Sequence, residues 1–151
     1  MSPRSRGRTD AASPPTGARS AEPLVLLVDD YADNREMYAL YLTHIGFRVA
    51  EAANGEEALA KAFEHRPDVI VMDLSLPVMD GWEATRRLKR DQRTRAIPVI
   101  ALTSHALEGF SQGAREAGCD AFVTKPCLPE QLAAEIRKML STHPTPASRR
   151  S

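Results

Sequence analysis

Short apolar runs recur along the chain at Leu24–Val28, Phe47–Ala50, Val69–Met72, Ile97–Leu102 and Ala121–Val123. They are mostly β-branched or aliphatic. The first, third and fourth lack a clean polar alternation, which predicts strands buried on both faces. Helical spacing fills each gap between the runs. Tyr38, Tyr41, Leu42 and Ile45 fall at i, i+3, i+4 and i+7, and Gly46 is placed to end that helix. Asn54-Gly-Glu-Glu opens the next, with Leu59, Ala62 and Phe63 on one side and Pro67 as its stop. A third is predicted from about Trp82 to Asp91. A fourth places Ala106, Phe110, Ala114 and Ala117 on one face before Gly118, and Leu132, Ile136, Met139 and Leu140 mark the last. The pattern is α/β, a (βα)5 chain, and strands separated by helices predict a doubly wound parallel sheet with right-handed crossovers.

Composition narrows the picture. At 151 residues with 42% hydrophobic positions, the chain fits one domain with a proper core. The formal net charge is zero, so charge gives no argument for nucleic acid or an anionic membrane. The ends differ from the body, however. Residues 1–22 carry Arg4, Arg6, Arg8 and Arg19 against Asp10 and Glu22, and the C-terminal end adds Arg149 and Arg150. Both ends are rich in Ser, Pro and Arg with little to bury, so disordered tails are expected at 1–22 and 142–151, around a domain at 23–141. No run reaches the roughly 18 apolar residues of a membrane span. The N-terminal arginines precede no apolar stretch of the kind a secretory signal needs. Cys119 and Cys127 are the only cysteines, too few for a disulfide framework or a cysteine zinc site, and a reducing cytoplasm is the expected location.

The chemistry sits where four of the apolar runs stop: Val28-Asp29-Asp30, Val71-Met72-Asp73, Leu102-Thr103-Ser104 and Val123-Thr124-Lys125-Pro126. In an open parallel sheet, ligands bind outside the carboxyl ends of the strands, at the switch point of strand order. Three carboxylates, a hydroxyl and an amine would therefore converge. Asp29 and Asp30 are adjacent, so they can meet one ion from two sides. A bare acidic pair would repel, and a hard cation such as Mg2+ removes that conflict. Asp73 can serve as a third ligand, as a nucleophile toward phosphorus, or as both. Lys125 supplies a compact positive charge for phosphoryl oxygens and Thr103 a donor hydroxyl, which is most of what phosphoryl transfer requires. Taken singly, each residue is as well explained as a cap, a turn former or a loop lysine. Five together on four strand ends point to a site.

These stretches resemble the receiver domain of two-component response regulators, most closely the single-domain, chemotaxis-regulator-like members. The resemblance spans about residues 23–141 and rests on Leu24–Asp30, Asp68–Asp73 with Leu74–Gly81, Pro98–Thr103 and Val123–Pro126. It implies a flavodoxin-like sheet of strand order 2-1-3-4-5. It implies that Asp73 is the phosphoacceptor, that Asp29 and Asp30 belong with Asp73 to a Mg2+ (or Mn2+) site, and that the Ser75 backbone carbonyl is a further ligand. Thr103 becomes the switch hydroxyl, Phe122 the switch aromatic, and Lys125 the contact to Asp73 and the phosphoryl group. A cis peptide is implied between Lys125 and Pro126. Ser75 and His105 occupy the positions that tune the lifetime of the phosphorylated state.

The implied function is a phosphoacceptor switch rather than an enzyme, although it assists its own phosphorylation and dephosphorylation. A phosphohistidine on a sensor histidine kinase or histidine phosphotransfer protein is the donor. The face built by the fourth helix, last strand and last helix then presents a changed surface to a downstream protein partner or to a second copy of the chain. Only about ten residues remain after the last helix, so either a stand-alone regulator acting by protein contact or a piece of a larger protein is expected; no direct DNA binding is expected, and no membrane contact. A phosphorylation-independent adaptor of the same fold is the stronger alternative. A haloacid-dehalogenase-type phosphatase has the same inventory, but its nucleophile comes first in an Asp-x-Asp motif. A flavin-binding domain would need a Ser/Thr/Gly-rich loop after the first strand, where this chain has Asp29-Asp-Tyr-Ala-Asp-Asn34.

Overall fold

The computed structural model describes residues 22–74, 81–103 and 116–142. Strand β1 (Leu24–Val28) leads into helix α1 (Ala32–His44), β2 (Arg48–Ala52), α2 (Gly55–His65), β3 (Val69–Asp73), α3 (Gly81–Arg90), β4 (Val99–Thr103), β5 (Ala121–Thr124) and α4 (Pro129–Thr142). All neighbouring strands are parallel, in the order β2-β1-β3-β4-β5. This is the 2-1-3-4-5 sheet that the sequence implied. The helix expected over 106–117 lies outside the described residues apart from Glu116 and Ala117, as do residues 1–21 and 143–151 of the expected tails.

Each strand sorts its side chains by period two onto two packed layers. Leu26, Val28, Ile70, Met72, Val99 and Ala101 join Ala58, Leu59 and Ala62 of α2 and Ala84 and Leu88 of α3. Val25, Leu27, Val69, Val71, Ile100 and Leu102 join Tyr38, Ala39 and Leu42 of α1 and Leu132, Ala133, Ile136 and Met139 of α4. Every residue of β3 and β4 is buried, as expected of strands without polar alternation. On α1 the buried positions are Tyr38, Ala39 and Leu42, whereas Tyr41 and Ile45 are only half-buried.

Local signals explain the boundaries. The Asn54 side chain accepts from Glu57 N (2.9 Å), and Glu57 Oε1 accepts from Ala53 N (2.8 Å), a reciprocal cap on α2. Gly46 takes a φ of 111° just beyond α1, a conformation that glycine adopts at little cost. The strand limits differ most from expectation at both ends of β2 and at the start of β4, while β3, β4 and β5 each run one residue further than predicted. Phe47 is buried before β2 begins, and pairing continues through Glu51 and Ala52 because they still face Leu27 and Val28. Ile97 is apolar and buried, but its N–H closes a turn onto Thr94 O, so β4 starts only at Val99.

Candidate functional site

Strand register brings the reactive groups to one edge. Val28 lies beside Met72, Asp73 beside Leu102, and Thr103 beside Thr124. The residues that end or follow these strands therefore emerge at a common level. One carboxylate oxygen from each of Asp29, Asp30 and Asp73 lies within 4.8 Å of the others. Asp29 and Asp73 are buried, at 0% and 1% exposure, and Asp30 is exposed. The trio thus forms a cleft with two acids at its floor and one at its lip.

The electrostatics of the floor are uneven. Asp29 Oδ1 accepts from Tyr31 N at 2.9 Å, whereas its buried Oδ2 has no hydrogen-bond partner among the described residues. Burial pushes the Asp29 carboxyl above its usual 3.8. The Tyr31 N–H works against that rise, Asp73 adds to it, Lys125 opposes it, and Asp30 adds a little more. Lys125 Nζ donates to Asp73 Oδ2 at 3.0 Å, setting one positive charge against the three acids. A buried oxygen without a donor, among clustered carboxylates, fits a hard divalent cation, which prefers oxygen ligands.

The loop that carries Lys125 is fixed from both sides. Lys125 N donates to Thr103 O (2.8 Å), the Lys125–Pro126 peptide is cis, and Tyr38 Oη on α1 donates to Cys127 O (2.7 Å). Thr103 is buried at the end of β4, one register step from Leu102, which faces Asp73. Phe122 on β5 is half-buried against the layer that contains α2 and α3. Ser75 and His105 lie outside the described residues.

Three residues of this edge have roles that the motifs did not reveal. Arg35 on α1 donates from Nη1 to the Asp29 carbonyl oxygen (2.7 Å) and from Nε to Glu51 Oε1 (3.0 Å). Tyr38 looks like an apolar-face residue, yet its buried hydroxyl holds the Cys127 turn; a buried tyrosine's need for a partner was the only available signal. Gly81 opens α3 so close behind β3 that a Cβ there would overlap the Asp73 carbonyl oxygen and sit 3.0 Å from Leu74 Cα. Its mark in the sequence was its place at the end of the Leu74–Gly81 stretch, which gave no reason for a glycine there. Cys119 and Cys127 are free, buried and packed into opposite layers. No helix among the described residues is long and apolar enough to cross a membrane.

Comparison with known proteins gives this geometry relatives. Residues 25–137 match the model of the response regulator receiver domain. The polar-differentiation response regulator DivK of Brucella anthropi is 38% identical over 116 residues, covering 77% of this chain and 94% of that protein. The phosphate regulon transcriptional regulatory protein PhoB of Pseudomonas aeruginosa is 40% identical over 116 residues, which span only 51% of its length. Among solved structures, the chemotaxis response regulator CheY4 of Vibrio cholerae superposes with a TM-score of 0.76 at 33% identity, covering 80% of this chain and all of that one. The receiver domain of a Pseudomonas aeruginosa sensor histidine kinase, with magnesium coordinated in its active-site cleft, gives 0.71 at 35% identity, covering 82% and 98% of the two chains.

Proposed function

The chain belongs to the response regulator receiver family, and from that premise we propose that Asp73 accepts a phosphoryl group from a phosphohistidine in a Mg2+-dependent reaction. A two-component receiver implies a histidine kinase as partner, and the protein is a regulator rather than a classical enzyme. The observation that carries the finer reading is the Lys125–Asp73 ion pair at 3.0 Å, set beside two further carboxylates. A simple surface acidic patch has no use for a lysine held against one of its buried acids.

In the proposed reaction a carboxylate oxygen of Asp73 bonds to phosphorus as the nitrogen–phosphorus bond of the phosphohistidine breaks, and the donor imidazole leaves with the bonding pair. Bound to Asp29, Asp30, Asp73 and the Ser75 carbonyl, Mg2+ would neutralise charge on the phosphoryl oxygens. Lys125 shifts its ammonium toward the phosphoryl group, and Thr103 donates its hydroxyl there. The acyl phosphate adds close to two negative charges. Thr103 and Phe122 move with it, and the packing of the last strand and α4 shifts between two arrangements. Ser75 and His105 set how readily water reaches the phosphorus. A cytoplasmic setting, a downstream protein partner and pairing of phosphorylated copies complete the proposal.

The test is incubation with a radiolabelled small-molecule phosphodonor, with and without Mg2+. Label is expected on the wild type only with Mg2+, as an acid-stable, base-labile species. Label retained by Asp73→Asn would overturn the assignment, and an unlabelled wild type would return the chain to the adaptor reading.

A further inference from the structure

We propose that Arg35 is a positioning residue for the cation site: it clamps the peptide between Asp29 and Asp30, so that two successive carboxylates converge with Asp73. The inference rests on the reading of that acid trio as a cation site. Successive residues at a strand end ordinarily direct their side chains apart. Convergence therefore requires that the joining peptide be held in one orientation.

The backbone of Asp29 is tied on both sides. Its N–H donates to Ala52 O of β2 (3.1 Å), and its carbonyl accepts from Arg35 Nη1 (2.7 Å). Arg35 is in turn aimed. Its Nε donates to Glu51 Oε1 (3.0 Å), its own N–H closes the first turn of α1 onto Tyr31 O (3.0 Å), and its side chain is only 17% exposed. Glu51 is anchored through its carbonyl, which accepts from Lys61 Nζ of α2. The guanidinium thus bridges α1, the Asp29–Asp30 peptide and the end of β2. A bidentate fork suits this task, because a lysine ammonium lacks the fixed angle between two donors.

Charge alone predicts the opposite effect, and that makes the inference testable. A guanidinium near a dication repels it, so removing Arg35 should tighten binding if electrostatics governs. Removing it should weaken binding if the clamp governs.

The experiment is calorimetric titration of the full chain with MgCl2 and with MnCl2 at fixed ionic strength, for wild type, Arg35→Ala, Arg35→Lys, Glu51→Gln and Glu51→Ala. Thermal unfolding in chelator accompanies each titration. Arg35→Ala is expected to raise the dissociation constant roughly tenfold, the lower end of what groups behind metal ligands contribute. Arg35→Lys should fall between it and wild type. Glu51→Gln, which keeps an acceptor for Nε, should stay near the wild-type value, and Glu51→Ala should weaken binding. Should Arg35→Ala fail to fold, the contrast between the two Glu51 variants decides. Unchanged or tighter binding by Arg35→Ala, or equal binding by the Glu51 pair, overturns the clamp while leaving the cation site standing. A wild type that binds neither ion overturns both.

Discussion

Replacing Asp29 by Asn should stabilise the protein without its cation and destroy the response to the cation. The substitution keeps the side-chain shape and an Oδ1 acceptor for Tyr31 N, while removing a buried charge. Carboxylate oxygens within 4.8 Å repel by about 3.5 kcal/mol per pair at an effective dielectric constant of 20. Lys125 offsets part of that. The buried Oδ2 without a donor adds a desolvation cost of about 1–3 kcal/mol. A net gain of about 1–3 kcal/mol is therefore expected for Asp29→Asn in chelator at neutral pH. The sign with pH follows from the raised carboxyl of Asp29. The native state holds that proton more tightly than the unfolded state, so below the unfolded value of about 3.8 the acid imposes no penalty. The penalty grows as pH rises from there through the native pKa and is constant beyond it. Urea unfolding of both proteins across that range should show a gap that opens with rising pH. Mg2+ at a hundred times its dissociation constant stabilises the wild type by about 2.7 kcal/mol, which closes or reverses the order. A gap that is absent at neutral pH, or that widens on acidification, would refute the reasoning.

Other residues make separate tests. Gly81→Ala should cost about 1–3 kcal/mol in urea unfolding, because its Cβ must displace the Asp73 carbonyl and Leu74 rather than a flexible side chain; an unchanged midpoint would show that α3 does not abut β3. Tyr38→Phe removes the donor to Cys127 O and should cost about 1–3 kcal/mol, the penalty for a buried carbonyl left unpaired, while Asp73 still takes label, only more slowly as the Lys125 turn loosens. Burial pushes the Cys119 thiol up to about 11 and the Cys127 thiol upward as well, so a chromogenic disulfide reagent at mildly alkaline pH should titrate neither until urea unfolds the chain. Rapid reaction of either in the native protein would contradict that packing.

How much of this was legible in the sequence depended on the range of the forces involved. The strands could be read because burial on both faces demands uninterrupted apolar residues, and Val69–Asp73 and Val99–Thr103 supply them. Helix limits could be read where a cap is local, as at Asn54 and Gly46. The start of β4 could not, because Ile97 is equally apolar in a strand or a turn and only its bond to Thr94 decides. At the site, Asp29, Asp30, Asp73, Thr103 and Lys125 announced themselves by standing next to strand ends. Arg35 did not: its acceptors are a backbone carbonyl six residues back and an acid on the next strand, and neither leaves a pattern in composition or spacing. Tyr38 failed for the same reason, its partner lying 89 residues away.

The burial of the acids gives the proposed switch its direction. Asp29 sits in the floor with one oxygen unmatched and its carboxyl raised, so the site is electrostatically costly as built. A fold selected only for stability would place an amide there, as many isosteric positions allow. Retaining the acid makes the cleft attractive to a cation, and in the proposed reaction the cation's charge would let the same cleft accept a phosphoryl group carrying nearly two further negative charges. Lys125 stands between these demands, because it is held against Asp73 at 3.0 Å and would meet the proposed phosphoryl group there. Its loop is tied to Thr103 on β4 and to Tyr38 on α1. A shift of the loop backbone around Lys125 would therefore pull on two elements at once. Local charge and long-range packing meet in that loop, which makes it the element through which phosphorylation of Asp73 would reach the surface of β5 and α4.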